Sequence, residues 1–367
     1  MSSIPAVKTR AMESGLPTAR SGQPADNPRL DWWLTIVSCF MIFGLFIDGW
    51  AHNHDRVDDS FFTPWHALLY SAYGVSALSL IAVHFRNVGK GFHWRRALPA
   101  GYMPALGGAL LFATGGLGDM VWHGLFGIEE GTEALLSPTH LLLAASGLLI
   151  ITGPVRALWQ RQGEESWGSL LPAILALTLV ASVFTFFTAF AAVTGRMHIM
   201  TGPRPEYHNL YDVYGVLALV VHSNILLGVV LFSARRWRLP FGAFTLMFTI
   251  NALLMTWMHL RANADFLLVI NAAIAGLLCD WLLSRNITAS LPGLRMFSFL
   301  LPVVFSLGGL LVIQILGAGA WDKGGLWWEV HMWLGGPALA GAFGYGLSLL
   351  FHPPAGPTDL QPQEPAH

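Results

Sequence analysis

The sequence predicts an all-α fold, a polytopic transmembrane helix bundle of about ten spans with both termini cytoplasmic. Three observations predict it. Hydrophobic residues make up 54% of the chain and charged residues 11%, where a soluble domain carries roughly a quarter charged residues. Apolar runs of about 20 residues, long enough to cross a bilayer, recur from one end of the chain to the other. Basic residues gather in every second segment between those runs, as they do on the cytoplasmic side of membrane proteins.

Taken in order, residues 1–30 are polar and rich in Pro, Ser and Ala. They read as a disordered cytoplasmic tail, because no short apolar core follows a basic start as in a signal peptide. Spans are expected at about 31–52, 64–86, 99–125, 138–158, 168–195, 208–233, 239–260, 264–284, 296–319 and 326–351. Lys8, Arg10, Arg20 and Arg29 precede the first span; Arg86, Lys90, Arg95 and Arg96 follow the second. Arg156 and Arg161 follow the fourth, Arg235, Arg236 and Arg238 the sixth, and Arg285 and Arg295 the eighth. Asp55, Asp58 and Asp59 follow the first span, and Glu129, Glu130 and Glu133 the third. Residues 352–367, acidic and Pro-rich, read as a second tail. The chain divides into a four-helix region, 31–158, which carries the strong motifs, and a six-helix region, 159–351. Membrane lipid, of a bacterial-type plasma membrane, is the first expected partner. A net charge of −1 without a long basic run argues against nucleic acid. Cys39 and Cys279 lack CxxC or CxxCH spacing, which argues against a disulfide framework, a thiolate zinc site and covalent haem.

With this topology nearly all metal-ligand types of residue fall at the outer, extracytoplasmic ends of the helices. Asp48-Gly-Trp-Ala-His52-Asn-His54 ends the first span, and Phe61-Phe-Thr-Pro-Trp-His66 opens the second. Asp119-Met-Val-Trp-His123 ends the third, and Leu136-Ser-Pro-Thr-His140 opens the fourth. Residues four apart share one helix face, so each Asp can meet the following His, while the second His enters from the returning helix. A polar residue at a helix end commonly does no more than cap backbone groups or meet lipid headgroups. That reading must, however, explain two copies of Asp-x-x-x-His followed by Pro-x-His. A carboxylate near bilayer depth is costly unless paired or metal-bound. The expected metal ligands are therefore Asp48, His52 and His66 in one set and Asp119, His123 and His140 in the other. His54, Asp59, Glu129, Glu130, His198 and His208 are further ligands or outer supports in this reading. One carboxylate with two imidazoles suits copper, is also the ligand set of non-haem iron oxygenases, and is tolerated by zinc.

The first stretch, with Asp59-Ser-Phe-Phe-Thr-Pro-Trp-His66 and Tyr70 after it, resembles the copper-ligand motif in the C subunit of particulate methane and ammonia monooxygenases. The second, Trp122-His123 through Glu130 to His140, resembles that subunit's other ligand set, with Asp119 where the family usually has Asn. The resemblance covers about residues 31–158. It implies copper at both sets, beside a shared outer cavity where O2 is activated next to a small apolar substrate or ammonia. It also implies further monooxygenase subunits, or a second copy of the chain, as partners. The family's helices before the first ligand set are lacking here, and six spans continue after the second.

Residues 159–351 carry weaker signals. Met197-His198-Ile-Met200 and Tyr207-His208, with Asp212 and His222 below, read either as a degenerate third copy or as core and turn residues. Trp321, Trp327, Trp328 and Trp333 suggest an interfacial belt, Trp50, Trp65 and Trp122 either a belt or a cavity wall, and Asp280 a partner for Arg285. The leading functional expectation is a copper-dependent membrane monooxygenase or its metal-bearing subunit. The alternative is a membrane copper-binding or transport protein without oxygenase chemistry.

Overall fold

The computed structural model describes residues 22–56, 62–127, 131–161, 166–193, 201–204, 206–260, 263–319 and 325–351. The first helix, α1, spans Pro28–Asn53 and the second, α2, Pro64–Gly89. Met103–Phe126 forms α3, Thr132–Leu136 the single turn α4, Pro138–Ile151 α5 and Gly153–Gln160 α6. Then follow α7 (Trp167–Phe187), α8 (His208–Arg236), α9 (Ala243–Met258), α10 (Leu267–Ser284), α11 (Leu291–Gly319) and α12 (Val330–Ser348). The protein is an all-helical polytopic bundle. Among the described residues eight helical segments are long and apolar enough to cross a membrane, the fourth being Pro138–Gln160 with α5 and α6 taken together.

Two of the ten expected spans fall outside those eight. At 16 residues, α9 rises about 24 Å, short of about 30 Å of hydrocarbon. The other, α12, is diluted by glycines, a tryptophan and a histidine. Expected boundaries also moved. The third span begins at Met103 because Pro99 and Tyr102 close a turn before it, and the fifth ends at Phe187 in a short 3-10 turn, Ala189–Ala191. The fourth breaks at Thr152, where Gly153 and Pro154 restart the helix. Of the expected tails, residues 1–21 and 352–367 lie outside the described residues; α1 already begins at Pro28.

Three helix starts share one local chemistry: a polar cap residue, then Pro at the first helical position. Asn27 accepts from the Leu30 N–H at 3.3 Å, Thr63 from the His66 N–H at 3.2 Å, and Ser137 from the His140 N–H at 3.3 Å. These caps fix where α1, α2 and α5 begin. Helix α1 then packs on α2, α6, α7 and α9, and α3 packs along α5. At the α1–α2 contact a Cβ on Gly44 would sit 2.7 Å from the Leu69 backbone nitrogen, so only glycine lets the two helices approach this closely. One continuous hydrophobic core joins Leu34, Met41 and Phe112 to Leu226, Phe248 and Phe305. A smaller one, with Leu219, Ile313 and Trp328, lies among α8, α11 and α12.

Charge pins the other end of the bundle. Arg161 reaches the Asp31 carboxylate at 2.5 Å and Asp26 at 3.2 Å, and the Tyr102 hydroxyl donates to Asp31 at 2.6 Å. Burial, reinforced by the Asp31 carboxylate, pushes the Tyr102 hydroxyl well above the usual phenol range. Arg156 donates to the carbonyls of Gly101 and Leu149 at 2.8 and 2.7 Å. Two of the arginines that signalled a cytoplasmic loop are thus committed to tying α1, α3 and α6 together. Asp280 does not pair with Arg285. It accepts from the Phe244 and Thr245 N–H groups at 3.1 and 2.9 Å and from the Thr245 hydroxyl at 2.7 Å, capping the start of α9. Arg285 lies over the Trp281 ring instead.

Candidate metal centre

Both Asp–His–His sets form at the same end of the bundle, where α1 hands over to α2 and α3 to α5. The i, i+4 phase stacks Asp48 on His52, Oδ2 to Nε2 3.9 Å, and the capped start of α2 brings His66 Nε2 to 3.5 Å from Asp48 Oδ1. In the second set Asp119 Oδ1 lies 3.6 Å from His123 Nε2 and 3.1 Å from His140 Nε2. Donors bound to one ion at about 2.0–2.1 Å stand about 3.3 Å apart at a tetrahedral angle and about 4.1 Å apart when opposite. The two separations at Asp119, both to Oδ1, fit one ion, whereas those at Asp48 run to different oxygens of the carboxylate. Among the described residues the second set is also a group of three whose ligand atoms all lie within 4.8 Å of one another. Its carboxylate is 2% exposed, against 17% for Asp48.

The second set is held in place by its own loops. His123 Nδ1 is 3.2 Å from the Gly127 carbonyl, and His140 Nδ1 makes a short contact to the Ala134 carbonyl. Carbonyl oxygens only accept, so in each ring Nδ1 carries the proton and Nε2 is the nitrogen turned to Asp119, where it can offer a lone pair to a metal or, when protonated, donate to the carboxylate. Gly127, at φ 83°, turns its carbonyl back onto His123 through a backbone conformation that suits glycine. Thr139, one residue before His140, donates its hydroxyl to Asp119 Oδ1 at 2.8 Å. With both rings neutral, two lone pairs and a carboxylate would converge on one point, which favours a cation between them. This is the arrangement of metal-binding histidines, whose other ring nitrogen is tied to a carbonyl or carboxylate. The residues present therefore fit a divalent or monovalent metal that accepts nitrogen and oxygen donors, such as copper, zinc or iron.

Between the sets lies a cavity of about 60 Å³. Asp48, His66, Asp119 and His140 supply its polar lining, and the rest is mostly apolar. At about 10–15 Å³ per water-sized molecule it admits a few small molecules. Tyr70 stands between the sets, edge-on to His66 at 6.0 Å and to Phe112 at 6.1 Å. A Cβ on Gly116 would meet its ring at 2.8 Å, so glycine one turn before Asp119 makes room for it. The cavity wall is built from these residues and not from Trp50, Trp65 or Trp122. Trp50 stacks on Trp257 and His54, Trp65 donates to the Arg56 carbonyl, and Trp122 lies against Phe126.

The outer candidates are placed differently. His54 points away from both sets, its Nδ1 2.8 Å from the Trp50 carbonyl and its Nε2 3.1 Å from the Leu260 carbonyl, so neither ring nitrogen faces the centre. His208 pairs with Asp212 at 3.3 Å and approaches Arg204 and the Trp327 ring, all in the second half of the chain. Trp328, expected in an interfacial belt, is buried. Asp59, Glu129, Glu130 and His198 lie outside the described residues. Sequence reasoning passed over Thr139, whose signal was its place at the second helical position behind the Ser137 cap, facing the turn that carries Asp119. Comparison with protein-family models, with curated proteins and with solved structures gives no match for this chain.

Proposed function

We propose that this chain is a copper-dependent membrane monooxygenase, or its metal-bearing subunit, that uses O2 to oxidise a small apolar molecule or ammonia. One observation carries the metal reading. The Gly127 and Ala134 carbonyls hold His123 and His140 with Nε2 at 3.6 and 3.1 Å from a buried Asp119 oxygen. The resemblance of residues 31–158 to the C subunit of the copper membrane monooxygenases supports copper over iron or zinc. The alternation of basic and acidic segments supports an extracytoplasmic face for both sets.

Within this reading Asp119 supplies the charge that offsets the ion, and Thr139 holds its carboxylate. Asp48, His52 and His66 form the second holding point across the cavity. Leu69, Phe112 and Leu143 give that cavity apolar walls, which favour a small apolar guest and limit water. Bound copper supplies one-electron redox chemistry toward O2. Further subunits or a second copy of the chain are the partners that the resemblance implies.

Metal analysis and electron paramagnetic resonance on protein purified in lipid test the reading, followed by turnover assays with short alkanes and ammonia. Copper stoichiometric with the chain, showing nitrogen hyperfine structure that His140→Ala or His52→Ala removes, is the expected result. Iron in its place would retain the oxygenase and replace the metal. Copper without turnover of any substrate would favour a copper-binding or transport protein. Folded protein that takes up no metal away from chelators would overturn the site.

A further inference from the structure

A second cavity of about 20 Å³, sharing no lining residue with the one between the Asp–His–His sets, lies among α8, α9, α10 and α11. His222 and Ser306 both line it. His222 stands at the midpoint of α8, 4% exposed, and its hydrogen bonds fix its tautomer. The Ser182 hydroxyl donates to the Thr178 carbonyl at 2.9 Å and the Thr185 hydroxyl to the Ser182 carbonyl at 3.2 Å. Both hydroxyls are thereby left as acceptors, and the Asn251 amide nitrogen donates to them at 3.3 and 2.8 Å. That orientation turns Asn251 Oδ1 toward His222 Nε2, 3.2 Å away. An amide oxygen only accepts, so Nε2 carries the proton and Nδ1 is an acceptor.

His222 Nδ1 is buried and has no hydrogen-bond partner among the described residues, and the same is true of Ser306 Oγ. Buried polar atoms are rarely left without a partner, and small polar cavities commonly hold the water that supplies one. The volume exceeds the roughly 10–15 Å³ that one water needs and lies at the bottom of the range for two. We propose that this cavity is a binding site for a single water molecule, donating to His222 Nδ1 and paired with Ser306 Oγ. The water completes a row, Thr185–Asn251–His222–water–Ser306, that links α7, α9, α8 and α11 across the middle of the bundle. The row runs sideways through the helices and is independent of the metal reading.

Full-length protein labelled with [15N]histidine, in lipid bilayers, tests the site by magic-angle-spinning NMR. The His222 signals are assigned by their loss in His222→Phe. The expected spectrum has a protonated Nε2, an unprotonated hydrogen-bonded Nδ1, and transfer of magnetisation from water to Nδ1. Ser306→Ala should shift the Nδ1 line and leave the Nε2–H line in place, with an unchanged thermal melt. If His222→Phe does not fold, the single histidine line that moves in Ser306→Ala makes the assignment. A proton on Nδ1, an Nδ1 without water transfer in folded protein, or no line that moves in Ser306→Ala would each overturn the proposal.

Discussion

Asp119→Asn separates a metal site from an ordinary buried ion pair by the sign of its effect. Suppose first that no metal belongs here and that His123 and His140 are imidazolium partners of Asp119. At 3.1 and 3.6 Å, each contact would supply about 5 kcal/mol of attraction at an effective dielectric of about 20. Removing the carboxylate charge would strand buried cations and lower the stability of metal-free protein by about 3–5 kcal/mol. Suppose instead that the rings are neutral, with protons on Nδ1 facing the Gly127 and Ala134 carbonyls. The new amide then donates to one Nε2, while Thr139 and Ser137, 3.3 Å apart, turn their hydroxyls to suit. Metal-free protein gains about 0.5–1.5 kcal/mol, the net worth of one hydrogen bond. With metal present the variant's advantage shrinks by about 1.3 kcal/mol. An ion at about 100 times its Kd stabilises the wild type by about 2.7 kcal/mol, and a tenfold weaker site gains about 1.4 kcal/mol at the same concentration. Denaturant melts of both proteins in lipid, with chelator and with copper, read all four values. The expected outcome is a variant at least as stable as the wild type in chelator and less responsive to copper. A variant several kcal/mol weaker in chelator would refute the neutral tautomers and the metal site that rests on them.

Two further outcomes follow from contacts outside the centre. Tyr102→Phe removes a 2.6 Å hydrogen bond to a buried carboxylate and should lower stability by about 1.5–3 kcal/mol, read as a shift in denaturant midpoint at unchanged metal content. Asp280→Ala leaves two backbone N–H groups at the start of α9 without their acceptor and should cost about 0.5–2 kcal/mol. An equal loss on Arg285→Ala would restore the pairing that the structure does not have.

What the sequence made legible was local. The Asp-x-x-x-His phase follows from helical periodicity, and Thr63-Pro-x-His66 and Ser137-Pro-x-His140 are helix starts that place a histidine at the third helical position. Composition and run length alone gave a polytopic all-helical bundle. The unread features depend on partners distant in the chain. Asp280 meets residues 35 and 36 positions away, and Asp31 meets a tyrosine 71 positions away. No window of sequence shows that such carboxylates are already spoken for. His54 misled for the same reason. Two residues past His52 it looks like a ligand, yet the chain leaving α9 brings the Leu260 carbonyl to its Nε2.

The Thr-Pro-x-His and Ser-Pro-Thr-His motifs therefore carry two meanings that must be kept apart. Their hydroxyl and proline are explained in full by helix capping, since the same chemistry starts α1 at Asn27-Pro28, where no ligand is involved. The histidine is not explained that way, because its ring plays no part in the cap. What gives it chemical content is the carboxylate it faces and, at His140, the Ala134 carbonyl that fixes its proton on the far side of the ring. By that criterion the two sets differ. The Asp119 set has both Nδ1 atoms tied to carbonyls, a hydroxyl on the carboxylate and an almost completely buried carboxylate. The Asp48 set spreads its two histidines over both carboxylate oxygens at 3.5 and 3.9 Å and is more exposed. Holding an ion tightly calls for the first arrangement, and exchanging it with the surroundings suits the second. The asymmetry, invisible in two nearly identical motifs, arises from the glycine turn at 127 and the single-turn helix that precedes Ser137.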